Sequence, residues 1–182
     1  VPGGYQKTLI RAPEQIYRIG RAMSATAGAL AVLLVIGMAR REWGAEAALA
    51  AGLLLATCFL HARDSHALKP DALLSLTVLF ALAGAVRLAE RPSPGNILVA
   101  GTGLGLAMAT KYTGILMLVP LYVAGWMAGG RTGWRRLFPA PAIGAGVVAA
   151  AVFALTSPHL VFGGPLLGWS RTLLGLVLPD LF

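Results

Sequence analysis

Apolar residues along this chain come in blocks, not in the stripes of a soluble amphipathic helix. Six blocks stand out, at about residues 22–39, 46–60, 72–86, 97–110, 113–128 and 139–156. They are rich in Leu, Ala, Gly and Val and do not alternate polar with apolar, so they predict membrane helices and not β-barrel strands. Several hold only about 14–16 residues, fewer than the ~20 that cross a ~30 Å hydrocarbon core. Their flanks must extend them, or some are recessed or re-entrant. The expected fold is all-α: one polytopic transmembrane helical bundle of about six spans over residues 1–182. The rest, 157–182, is expected as an outer loop, an interfacial helix or the start of another span.

The connections carry the punctuation. "RPSPGN" (91–96) and "AGGRTGWRRLFPAP" (128–141) read as loops, because prolines and glycines cluster there. Segment 97–128 is too long for one straight span and would strand Lys111 in hydrocarbon. Broken at "TKYTG", it becomes a hairpin with Lys111 at the tip and Gly114 easing the bend. In "LKPDALL", Pro70 suits the first turn of a helix, and Asp71 then favours the positive end of the helix dipole.

Composition strengthens the membrane reading. Of 182 residues 57% are hydrophobic and 12% charged, with mean hydropathy +0.75, which leaves too little polar surface for a soluble domain. The net charge of +8 sits at span ends and in short loops. It points to lipid headgroups or an anionic lipid-linked substrate and not to nucleic acid. The single Cys58 lies in an apolar run, which excludes an internal disulfide and reads as a buried small side chain. "VPGGYQKTLIRAPEQ" lacks the apolar core of a signal peptide and "VLPDLF" stops without a tail, so a piece of a longer protein is expected.

With alternating spans, one set of loops carries Arg40, Arg41, Arg87, Arg91, Arg131, Arg135 and Arg136. The other carries Lys7, Arg11, Arg18, Arg21, Arg63, Lys69, Lys111 and Arg171. The counts nearly balance, but the first set is packed into far fewer residues and is assigned to the cytoplasm. The second then faces outward.

The candidate chemistry lies in "LHARDSHALKPDALL" (60–74), which gathers His61, Arg63, Asp64, His66, Lys69 and Asp71. A solvated loop explains charge there. A metal site drawing on His61, Asp64 or Ser65, and His66 matches no strong zinc signature. "GTGLGLAMATK" (101–111) lacks the Gly-Lys-Ser/Thr of a phosphate-binding loop, so Gly101 and Gly105 are read as a close helix contact. Lys111 and Tyr112, like Arg18 and Arg21, could be interfacial anchors. His159, alone in its loop, reads as structural. Taken together, Arg18, Arg21, Arg63, His66, Lys69, Asp71, Lys111 and His159 suit a rim that grips a lipid phosphate. The basic side chains would steady the departing phosphate, and a carboxylate would orient a hydroxyl nucleophile.

Three stretches, "YRIGRAMSATAGALAVLLVIGMARREWG" (17–44), "HARDSHALKPDALLSLTVLFAL" (61–82) and "GLGLAMATKYTGILMLVP" (103–120), resemble in order and spacing the bacterial members of glycosyltransferase family 39. This is the protein-mannosyltransferase-like group of the GT-C fold, and the resemblance covers roughly residues 13–165. It implies an integral protein of the bacterial inner membrane with its site facing the periplasm. The activity implied is transfer of a sugar from a polyprenyl-phosphate carrier to a protein, lipid or glycan acceptor. Arg63 and His66 match the family's second outer loop, Asp71 its span-opening acid, and Lys111–Tyr112 its hairpin tip, so the substrate-binding residues implied are Arg63, His66, Lys69, Asp71, Lys111 and Tyr112. The family's main acidic base falls ahead of the matching region; Glu14 does not match it, and this piece alone is expected to be inactive. No cofactor is implied firmly, and a divalent metal is left open. The rival readings are a transporter or flippase subunit, which also uses charged residues near broken helices, and a structural membrane subunit.

Overall fold

A computed structural model describes residues 13–128 and 138–158. The described residues form seven α-helices and one 3-10 segment, with no strand among them. The helices are α1 (Pro13–Trp43), α2 (Ala45–Thr57), α3 (Phe59–His66), α4 (Asp71–Glu90), α5 (Pro94–Thr110), α6 (Leu118–Ala128) and α7 (Ala140–Thr156), and the 3-10 segment is Tyr112–Met117. Two compact units meet inside α4, between Ala83 and Gly84.

In the first unit, α1 runs 31 residues, about 46 Å at 1.5 Å per residue. It starts well before its apolar block because "EQIYRIGR" contains no proline and Glu14 sits in the first turn. Between Arg21 and Arg40 no charge interrupts it, a stretch of about 27 Å that matches the hydrocarbon thickness. At one end Arg21 lies over the Tyr17 ring, 5.6 Å from its centre. At the other end Gly44, with φ +89° and ψ −174°, takes a conformation essentially closed to residues with a Cβ and reverses the chain.

From that turn α2 and α3 run back along α1. Small residues make the seam: Ala27, Ala31, Ala39, Ala48 and Gly52 are buried or nearly so. A Cβ on Gly52 would strike Ile36, and one on Gly28 would strike Ser65. Lipid supplies no hydrophobic drive between helices, so close backbone approach and packing have to hold them. The α2–α3 pair passes as one span but bends by 59°. The break falls at Cys58, whose backbone is extended (φ −61°, ψ 117°).

Three expectations change here. Cys58 is exposed, not buried, because the kink turns it away from the seam. Residues 61–66, expected in a loop, complete the helix Phe59–His66: "FLHARDSH" contains neither glycine nor proline, and its two histidines bond the Gly28 carbonyl of α1 and the Ala62 carbonyl of their own turn. "RPSPGN" shrinks to a three-residue connection. Ser93 Oγ accepts from the Asn96 N–H (3.3 Å), and Pro94 opens α5 where its missing N–H costs nothing.

The second unit packs α4's last turns, α5, the 3-10 segment, α6 and α7 around Ala85, Leu88, Ala100, Leu104, Leu121, Ala124, Ala145 and Ala149. Asn96 Nδ2 donates to the Arg87 (3.1 Å) and Arg91 (2.8 Å) carbonyls, closing the end of α4. Gly101 faces Ala145 and Val148, and Gly105 faces Ala149 and Val152. Both positions rise together, so α5 and α7 run parallel, with the GxxxG pair as their contact.

Two described helices, α1 and α4, are long and apolar enough to cross a membrane, and a third span results if α2–α3 counts as one. Helix α7, with 17 residues, reaches only about 26 Å. The arrangement is an all-α membrane bundle.

Candidate functional site

The charged elbow of the first unit, residues 58–71, is built by three local events. Cys58 bends the chain, α3 carries Arg63, Asp64, Ser65 and His66 for two turns, and a bent connection, in which the Lys69 N–H donates to the Ala67 carbonyl at 2.9 Å, delivers Pro70 to the start of α4. The Pro70 carbonyl accepts the Leu74 N–H at 2.8 Å, so Pro70 caps the helix, one position earlier than the sequence suggested. Asp71 follows in the first turn, half-buried.

Asp64 is the hub. Its Oδ1 accepts from Arg63 Nε at 3.0 Å, lies 3.0 Å from Arg63 Nη2 and 3.9 Å from Lys69 Nζ. The carboxylate is 16% exposed, whereas the Arg63 and Lys69 side chains are 50% and 49% exposed. One inward acid thus ties together two outward cations across the α3–α4 connection, leaving much of each cation accessible. Sequence reasoning weighed Asp64 only as a metal ligand. The available signal was its position beside Arg63 and five residues before Lys69.

Both histidines of the elbow hydrogen-bond to backbone carbonyls. His61 Nε2 donates to the Gly28 carbonyl of α1 at 3.2 Å, and His66 Nδ1 donates to the Ala62 carbonyl at 2.8 Å. Since a carbonyl only accepts, the neutral His66 ring carries its proton on Nδ1 and presents Nε2 as the lone-pair nitrogen. His61 pins α3 to α1; His66 is exposed and turned back on its own helix. Ser24 Oγ donates to the Lys69 carbonyl at 3.4 Å. A Cβ on Gly20 would overlap Leu68, so Arg18 and Arg21 belong to the same end of the unit as the elbow. That end gathers Arg18, Arg21, Arg63 and Lys69 against Asp64 and Asp71, with Glu14 further out along α1. Ser65 Oγ is buried without a hydrogen-bond partner.

In the second unit, α5 ends at Thr110. Lys111 is extended (φ −158°, ψ 139°) and half-buried, and Tyr112, 81% exposed, opens the 3-10 segment. Gly114 works by close approach and not by conformational freedom: a Cβ there would run into the Ala107 carbonyl group and the Met108 nitrogen. Among the described residues no three or more His, Cys, Asp or Glu side chains gather as a metal group. Lys7, Arg11, Arg131, Arg135, Arg136, His159, Trp169 and Arg171 lie outside the described residues.

Apolar helices of spanning length, a bent pair and charge confined to helix ends define an integral membrane protein. A family model described as dolichyl-phosphate-mannose-protein mannosyltransferase matches residues 17–162. The chain belongs to this family of membrane glycosyltransferases. No curated protein and no solved structure matches it significantly.

Proposed function

We propose that the chain serves a membrane glycosyltransferase that moves a sugar, mannose by its family's name, from a polyprenyl-phosphate carrier to an acceptor. The reaction takes place at the outer face of a bacterial inner membrane. The observation that carries this reading is the elbow: two half-exposed cations bound to one inward carboxylate at the end of an uncharged stretch of spanning length. A lipid phosphate lies at that depth, and Arg and Lys pair with its oxygens. In this reading Arg63 and Lys69 neutralise the carrier phosphate at the elbow, and Lys111, at the break of the second unit, is a substrate-binding cation in its own right. His66 and Asp71 shape the sugar and acceptor pocket, and Tyr112 offers an exposed ring against which a sugar can pack. The acceptor is a hydroxyl of a protein, lipid or glycan.

The test is incubation of the full-length protein in membranes with labelled polyprenyl-phosphate sugars, followed by product analysis. Label passing to an acceptor, and lost on replacing Arg63 and Lys69 together by Ala, supports the reading. The 59° break in α2–α3 favours a second reading, because transporters also use broken helices. Movement of the lipid or a solute across the bilayer without sugar transfer would select that one.

A further inference from the structure

The carboxylate at the centre of the elbow raises a problem of charge. A phosphate site gains affinity from cations, yet Asp64 cancels part of the charge of Arg63 and Lys69. It does so from the inside, with its Oδ1 committed to both. An acid needed only for folding would not have to share one oxygen between the two groups that face outward.

The answer lies in the charge change of the reaction proposed above, on which this inference rests. The donor is a phosphodiester and carries one negative charge. In transfer, the acceptor hydroxyl oxygen bonds to the anomeric carbon, and the bond from that carbon to the phosphate oxygen breaks. Its electron pair goes to the phosphate, and the hydroxyl proton goes to a carboxylate base and then to solvent. The leaving lipid is a phosphomonoester, whose second pKa near 6 makes it close to a dianion above pH 7. The product is therefore more negative than the substrate, and a purely cationic site would hold it more tightly and release it slowly.

We propose that Asp64 is a positioning and specificity residue that sets the elbow for the monoanionic donor: it aligns Arg63 and Lys69 and offsets enough of their charge to let the dianionic product leave. Arg63, Asp64 and Lys69 together carry one net positive charge, which matches the donor. The exposed parts of the two cations meet the phosphate, while Asp64, behind them, repels it through a short distance. That repulsion scales with the ligand's charge.

This scaling gives a ratio that does not depend on the local dielectric. Replacing Asp64 with Asn removes one negative charge. Since a Coulomb term is linear in ligand charge, the factor by which the dianion's affinity rises is the square of the factor for the monoanion. If donor binding tightens about 3-fold, product binding tightens about 10-fold.

The experiment measures binding, without turnover, of a polyprenyl phosphate and of the matching polyprenyl-phosphate mannose to the full-length protein in nanodiscs at pH 8. Wild type, Asp64→Asn and Asp64→Glu are compared. The expected result for Asp64→Asn is a product-to-donor affinity ratio raised about 3-fold or more, with stronger inhibition of transfer by added polyprenyl phosphate. Asp64→Glu, which keeps the charge, should hold the ratio at the wild-type value. An unchanged or lower ratio in Asp64→Asn, including equal weakening of both lipids, overturns the proposal while leaving the transferase reading in place. Failure of the wild-type protein to bind either lipid overturns both.

Discussion

The same substitution, Gly→Ala, should have opposite effects at two helix positions of the second unit. At Gly101 an added Cβ would lie 2.5 Å from the Ala145 carbonyl oxygen and 2.6 Å from Val148 Cβ. Close carbon–oxygen contacts begin near 3.3 Å, so α5 and α7 must separate by roughly 0.8 Å. A gap of that size forfeits about a quarter to a half of each dispersion contact along the seam. Overpacking of this kind costs about 1–3 kcal/mol, against which alanine's better helix propensity returns up to ~1 kcal/mol. At Gly146, on α7 itself, nothing lies within 4 Å of the added methyl, and only the propensity gain of about 0.5–1 kcal/mol remains. Gly101→Ala should therefore fall below wild type in stability and Gly146→Ala rise above it, a separation of about 1–3 kcal/mol between the variants. Reversible unfolding in mixed detergent, followed by far-ultraviolet circular dichroism, reads the difference. Gly101→Ala as stable as Gly146→Ala would refute the parallel α5–α7 contact.

Replacing Lys111 with Ala in the full-length protein should cut sugar transfer from a polyprenyl-phosphate donor about 10-fold or more, the range of a lost charge-assisted hydrogen bond; wild-type turnover would remove Lys111 from the site. Gly44→Ala should lower stability by about 1–3 kcal/mol through backbone strain alone, because the added methyl meets nothing within 4 Å. An unchanged unfolding midpoint would show that the α1–α2 turn tolerates a side chain. In a Cys58→Ser background, a cysteine at position 66 should react with an impermeant maleimide from outside the cell, and one at position 43 only after permeabilisation. Labelling of both from one side would rule out the crossing α1 hairpin.

What the sequence made legible was whatever has a one-residue cause. A lysine in an apolar run must reach the hydrocarbon's edge, so the break at Lys111 could be read directly. Gly101 and Gly105 at their spacing announced a close helix contact, although the partner α7 could not be read. Proline misled twice: Pro94 opens a helix three residues before the expected start at 97, and Pro70 caps the helix it was expected to enter. The bend at Cys58 left no mark, since neither glycine, proline nor charge sits there. Its setting is tertiary: the two turns that follow carry His61 and Ser65 onto Gly28, more than 30 residues away in the chain. Asp64 was overlooked for a related reason. Its importance lies in which way it faces, and inward or outward orientation on α3 depends on α1.

The position that couples fold to site is therefore Gly28, which no motif marks. Because it has no side chain, α3 can lie against α1 closely enough for His61 to reach its carbonyl. That contact, with Ser24 holding the Lys69 carbonyl, fixes both ends of the elbow against one rigid helix. In a low-dielectric surround such bonds are stronger than in water, and breaking them leaves polar groups exposed to hydrocarbon. The Arg63–Asp64–Lys69 cluster inherits its geometry from this seam, since surface ion pairs alone contribute only about 0–1 kcal/mol and would not hold it. A side chain as large as Leu at position 28 would press on Ser65 and separate α3 from α1. The elbow's charges would survive, but the depth and direction at which they meet a lipid phosphate would not.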